Sequence, residues 1–162
     1  MTPRVMAAAA AIGEPVTMSS DGVTSEAGGA PATIGSEQLH ELVPLAATLG
    51  VELVRADRDQ VVLRLPYDAG LCTAGGVVHG GALMSLADTA GALCAFLLLP
   101  EGAAGTTTVQ STTNFVRAVR AGSATVTTVP LHAGRRTIVV ESEVHDEQGR
   151  LVTKTTQTQA VL

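Results

Sequence analysis

The sequence predicts an α+β domain in which an antiparallel sheet of about five to six strands wraps around one central apolar helix. Three observations carry this. The stretch from Gly81 to Leu99 is apolar on almost every side, the pattern of a helix enclosed by its surroundings. After Pro100-Glu101-Gly102 the chain turns to β-branched residues in four segments, 106–119, 123–131, 137–145 and 151–161, parted by short turn-like gaps as in a meander. Two more strand candidates precede the helix, enough to close a sheet around it.

Taken in order, residues 1–35 differ from the rest. Ala7 to Ala11 is a low-complexity run, followed by scattered Gly, Ser, Thr and Pro with no apolar period. Arg4 is the only early charge and the apolar run to Ile12 is short and Ala-rich, which does not suit a secretory signal. A disordered N-terminal extension is expected, with the folded domain over 36–162. Ser36-Glu37-Gln38 offers a cap and an early acid, and Leu39, Leu42 and Val43 form a short stripe. These start a helix that Pro44 should kink or restart and that ends near Gly50. Val51–Arg55 and Val61–Leu65 are strands about the polar turn Asp57–Gln60, and Pro66–Gly76 is loop. Gly81–Leu99 is long enough to suggest a membrane span. Asp88 at its middle would cost about 2.5–3.5 kcal/mol there, and no basic anchors flank it. A core helix buried on all sides is expected instead. Among the later strands, Ile138, Val140 and Val144 alternate with Glu141, Glu143 and His145, as a half-exposed sheet requires.

Composition excludes several classes of function. The 162 residues carry ten Lys+Arg against fifteen Asp+Glu, a net charge of -5, with 2% aromatic residues. There is neither a basic surface for phosphate backbones nor a stacking platform for bases. Cys72 and Cys94 make neither a disulfide framework nor a zinc set. Both are expected as buried free thiols, in a reducing, cytoplasmic setting. His79, His132 and His145 lack metal-ligand spacing, Ser85 lacks a nucleophile elbow and no phosphate loop ends in Lys-Ser/Thr. No metal, cofactor, nucleic acid or membrane is expected.

The chemistry concentrates in Gly75-Gly76-Val77-Val78-His79-Gly80-Gly81, just before the long helix. Glycines admit tight turns and close approach, and a first helical turn offers unpaired N–H groups. Gly80 or Gly81 could therefore donate to a carbonyl oxygen or oxyanion. A tight loop with His79 as an ordinary capping side chain would look the same. Asp88, ionisable within an apolar helix, needs either a structural partner (Ser85, Thr89 or a neighbouring strand) or a role as base or nucleophile. His79 and Asp88 are nine residues apart, roughly 13 Å along one helix. If both serve one reaction they must come from two subunits, giving two composite sites per twofold dimer. Arg117, Arg120, Arg135 and Arg136 are the only clustered cations, either solvated strand ends or a dock for a phosphate-bearing ligand.

At these residues the sequence resembles the hotdog-fold thioesterases, in the branch of the phenylacetate-pathway (PaaI-like) and 4-hydroxybenzoyl-CoA thioesterases. The resemblance runs from about Leu39 to Leu162. Its centre is Gly-x-x-His-Gly-Gly followed by an Asp, met by Gly76, His79, Gly80, Gly81 and Asp88. Thr112 to Gly122, Gly134-Arg135-Arg136 and Asp146 to Gly149 resemble the family's later strand and turns. The resemblance implies a homodimer or tetramer that hydrolyses acyl-CoA thioesters. It makes Gly80 the oxyanion donor, His79 the residue that orients the loop, and Asp88 of the partner subunit nucleophile or base. Thr108 is the hydroxyl expected to place water. Gly81, Arg117, Arg135 and Arg136 are the candidate substrate contacts. Six residues before the histidine the family usually has Asn or Gln, and this chain has Thr73, whose hydroxyl is shorter and lacks an amide's donor pair. That departure keeps a non-catalytic acyl-CoA binding module as the alternative. A hydratase or dehydratase of the same fold would need an Asp–His hydration motif that the chain lacks.

Overall fold

The computed structural model describes residues 35–162; the extension expected over 1–35 lies, Gly35 apart, outside the described residues. Pro44 does restart the first helix. α1 (Ser36–Leu42) and α2 (Pro44–Leu49) meet at Val43, because proline suits a first helical turn and disrupts an interior one. Gly50 closes α2 at φ 70, a left-handed cap that glycine takes without strain. Then follow β1 (Glu52–Ala56), β2 (Val61–Pro66), β3 (Cys72–Thr73), β4 (Val77–Val78) and the long α3 (Gly80–Leu97). After it run β5 (Thr106–Phe115), β6 (Ser123–Ala133), β7 (Thr137–Asp146) and β8 (Leu151–Val161).

Six strands form one antiparallel sheet in the order β1-β2-β6-β7-β8-β5, with β3 and β4 paired separately. The sheet curls over α3, whose Leu83, Leu86, Ala87, Ala90, Cys94 and Ala95 are buried against Leu63, Leu65, Val126, Ile138, Val140 and Val144. Each of the leucine, isoleucine and valine side chains contributes about 1.5–3 kcal/mol by burial, and each alanine less. This is the architecture the sequence predicts, with three differences. The 66–76 loop contains a 3-10 turn and β3, too short for any periodicity to reveal. The strand expected over 106–119 ends at Phe115, since the N–H groups of Val116 and Arg117 both turn to the Val152 carbonyl (2.9 and 3.2 Å) and leave the ladder.

The third difference matters most. α3 is not buried on all sides: Gly81, Met84 and Asp88 are exposed and Ser85 half-exposed, one stripe at helical spacing. A single sheet covers only one side of a helix. β5 beside this stripe is an edge strand, paired among the described residues to β8 alone, and nearly all its residues are exposed.

Candidate functional site

The glycine turn ends in a cap. Gly75 (φ 89) and Gly76 (φ 67) occupy left-handed backbone, which side chains disfavour. The turn is tied down by Tyr67 Oη donating to the Gly76 carbonyl (3.2 Å) and Arg120 Nη1 to that of Gly75 (3.1 Å). His79 is the N-cap of α3: its Nδ1 accepts the Gly81 N–H at 2.7 Å, which leaves the ring proton on Nε2. Of the two donors considered from sequence, Gly81 is therefore engaged. The Gly80 N–H has no protein partner among the described residues. The Phe115 ring closes over Gly80, where a β-carbon would lie 3.1 Å from Cε1, so a side chain here would push the half-exposed ring outward by a few tenths of an ångström. An open cavity of about 460 Å³ begins here, lined by Thr73, Val77, Gly80, Leu83, Phe115 and Arg117 among others. Thr73 is exposed, with its hydroxyl donating to the Ala74 carbonyl (3.0 Å).

Asp88 lies two turns further on, roughly 12 Å along the helix from Gly80, and does not line that cavity. Its partner is the strand option, not Ser85, which donates to the Gly81 carbonyl (2.9 Å). Asp88 Oδ1 accepts from Gln157 Nε2 (2.7 Å) on β8 and from Thr108 Oγ1 (3.2 Å) on β5. Thr108 accepts from Gln159 Nε2 at 2.8 Å, so its one proton is free for the carboxylate. Oδ2 has no partner among the described residues.

The arginines do not form one cluster. Arg117 lines the cavity and donates to the Leu151 carbonyl (2.7 Å) at the start of β8. Arg135 and Arg136 are exposed in the turn between β6 and β7, where the Arg136 carbonyl accepts from Val161 at the end of β8. Ten strand residues, roughly 33 Å, separate those ends. The thiols differ as well. Cys94 is buried, and burial, helped by the charge of Asp57, pushes its thiol up to about 11. Cys72, expected buried, is only half-covered and donates to the Asp68 carbonyl (3.3 Å). Gln157 and Gln159 were not among the residues singled out from sequence. Their signal is Thr155-Thr156-Gln157-Thr158-Gln159, a strand segment without one apolar residue on either face.

A family model described as the thioesterase superfamily matches residues 75–153, from the glycine turn into β8. The proofreading thioesterase EntH of Cronobacter turicensis is 34% identical over 106 residues, 65% of this chain and 77% of the relative. The chain belongs to the thioesterase superfamily. Among solved structures, the thioesterase HI1161 of Haemophilus influenzae superposes with a TM-score of 0.72 at 29% identity, over 78% of this chain and 89% of that one. PaaI of E. coli, from the phenylacetic acid degradation operon, gives 0.69 at 26% identity, over 78% and 90%. This thioesterase thus has the hotdog fold, is PaaI-like, and is a thioester hydrolase. The one long apolar helix among the described residues, Gly80–Leu97, is the fold's core helix, with 61% of it buried by the protein itself.

Proposed function

We propose that the chain is an acyl-CoA thioesterase working as a homodimer, or as a tetramer of such dimers, with each site shared between two subunits. The observation that carries this is the separation of the two reactive groups. Gly80 N–H opens into the cavity under Phe115, while Asp88 faces outward from the uncovered stripe of α3 beside the unpaired edge of β5. A twofold axis at that edge, perpendicular to β5, brings Asp88 of one subunit to Gly80 of the other. Antiparallel pairing of two β5 edges also sets the Arg135–Arg136 turn of one subunit at the Phe115 end of the other. The three arginines are then reunited around one cavity mouth, where they recognise the phosphates of CoA.

In this scheme Gly80 N–H polarises the thioester carbonyl and stabilises the oxyanion. His79 holds the turn by capping α3, and Asp88 supplies Oδ2, as base toward a water or as direct nucleophile. Thr73 faces the carbonyl from the cavity wall. Either route adds one water across the C–S bond, releasing the carboxylic acid and the CoA thiol. A cytoplasmic setting agrees with two free thiols and with a CoA substrate. Thiol release from short, medium, long and aryl acyl-CoAs tests the proposal, with wild type beside Asp88→Asn. The variant is expected to lose about two orders of magnitude or more, the usual share of a catalytic acid–base group. An unchanged rate refutes the role of Asp88, and release from no acyl-CoA refutes the substrate class.

A further inference from the structure

We propose that Gln157 is a positioning residue for the hydrolysis, holding the Asp88 carboxylate so that only Oδ2 is presented to the reacting thioester. This rests on the reading above that Asp88 is the reacting carboxylate. Gln157 is completely buried, yet its Nε2 reaches Asp88 Oδ1 at 2.7 Å and its Oε1 has no hydrogen-bond partner among the described residues. Its orientation is imposed by chemistry: a flipped amide would set its oxygen against a carboxylate oxygen at the same distance. A buried amide oxygen left unpaired lowers stability, so the core alone does not account for a glutamine here. Its neighbours across the ladder are Val140 on one side and Ser111 on the other.

Gly91 completes the arrangement. It lies three residues after Asp88 on α3, in a helix interior where glycine is unfavourable. A β-carbon there would overlap the Gln157 carboxamide oxygen and press on Val140 Cγ2. The missing side chain is the seat of the glutamine. With Thr108, itself oriented by Gln159, two donors meet one oxygen of Asp88 and fix the carboxylate plane. The cost of misplacing a reacting group by an ångström falls on turnover more than on substrate affinity.

Steady-state kinetics on the best thioester of the panel, with wild type, Asp88→Asn, Gln157→Met, Gln157→Glu, Gly91→Ala and Gly91→Ala/Gln157→Met, tests this. Gln157→Met, which keeps the volume and removes both the donor and the orphaned oxygen, is expected to lower kcat about ten- to hundredfold, the scale of one hydrogen bond to a charge. KM should stay within about twofold, since Gln157 never touches substrate, and the thermal midpoint should not fall. Gln157→Glu should be slower still. Gly91→Ala, a substitution that helices favour, should lower kcat in the same direction, and the double variant should be no slower than Gln157→Met alone. Wild-type kcat in Gln157→Met or Gln157→Glu beside an inactive Asp88→Asn overturns the positioning role and leaves the catalytic assignment standing. Full activity in Asp88→Asn overturns both. Additive losses in the double variant overturn the link through Gly91.

Discussion

The two halves of the sheet put one backbone to different uses. β6 and β7 turn Val126, Ile138, Val140 and Val144 onto α3, all fully buried. One strand over, β8 turns Thr153, Thr155, Gln157 and Gln159 inward, each at 1% exposure or less. The ladder is continuous, with Val140 opposite Gln157 and Ile138 opposite Gln159, so only side-chain chemistry changes across it. The apolar half gains stability with every square ångström of surface removed from water. The polar half leaves Thr153 Oγ1 and Gln157 Oε1 buried without partners among the described residues, which opposes stability. Its polar side chains converge on Asp88 and on the open strand β5. One half therefore holds the fold together, and the other carries the side chains of the proposed site at an open sheet edge.

Substitutions in the two halves should separate these roles. The largest stability effect belongs to the apolar side. Leu86→Ala empties a fully buried position on α3 and should cost about 2–5 kcal/mol, read by urea denaturation at fixed protein concentration, with kcat per folded molecule little changed. Thr108→Val in the polar half should do the reverse. Losing one donor to the carboxylate should lower kcat about tenfold or more, while the unfolding midpoint stays close to wild type. A stability loss equal to that of Leu86→Ala would erase the distinction. Thr155→Val, which removes the 2.9 Å bond between Thr155 and Thr113 but adds apolar volume under the sheet, should shift stability by less than about 1 kcal/mol in either direction. The smallest effect separates the thiols. In the native protein a disulfide reagent should modify Cys72 rapidly and Cys94 only after unfolding, since burial holds the Cys94 thiol at about 11 and thiolate is the reacting form.

How much of this was legible in the sequence follows the same division. The apolar half writes itself in period-two alternation, as at Ile138, Val140 and Val144 of β7, while β6 and β8 fall in β-branched segments marked off by turn-like gaps. The glycine turn, His79 and Asp88 were legible because glycines before a helix and a carboxylate within one are chemically costly and so informative. Gln157 and Gln159 were not singled out, because a polar strand position looks the same whether it faces water or a buried carboxylate; only the ladder register tells them apart. The uncovered stripe of α3 was misjudged for a related reason. An all-apolar helix predicts that every side meets protein, but not that a single sheet leaves one stripe of it open. Arg135 and Arg136 looked adjacent to Arg117 by composition, and strand length separates them.

The central claim is a site shared between subunits, and subunit complementation tests it most directly. Gly80→Pro removes the N–H donor at the first helical position, where proline is best tolerated, and His79 at φ -62, ψ 136 already has the backbone that precedes proline. Co-expressed with Asp88→Asn, it forms hybrid dimers in which one of the two sites keeps both an intact Gly80 N–H and an intact Asp88. Each variant alone should be nearly inactive, and the random mixture should recover about a quarter of wild-type activity, half the dimers being hybrids with one working site of two. A mixture as inactive as its parents would contradict the shared site and place both groups in a single chain.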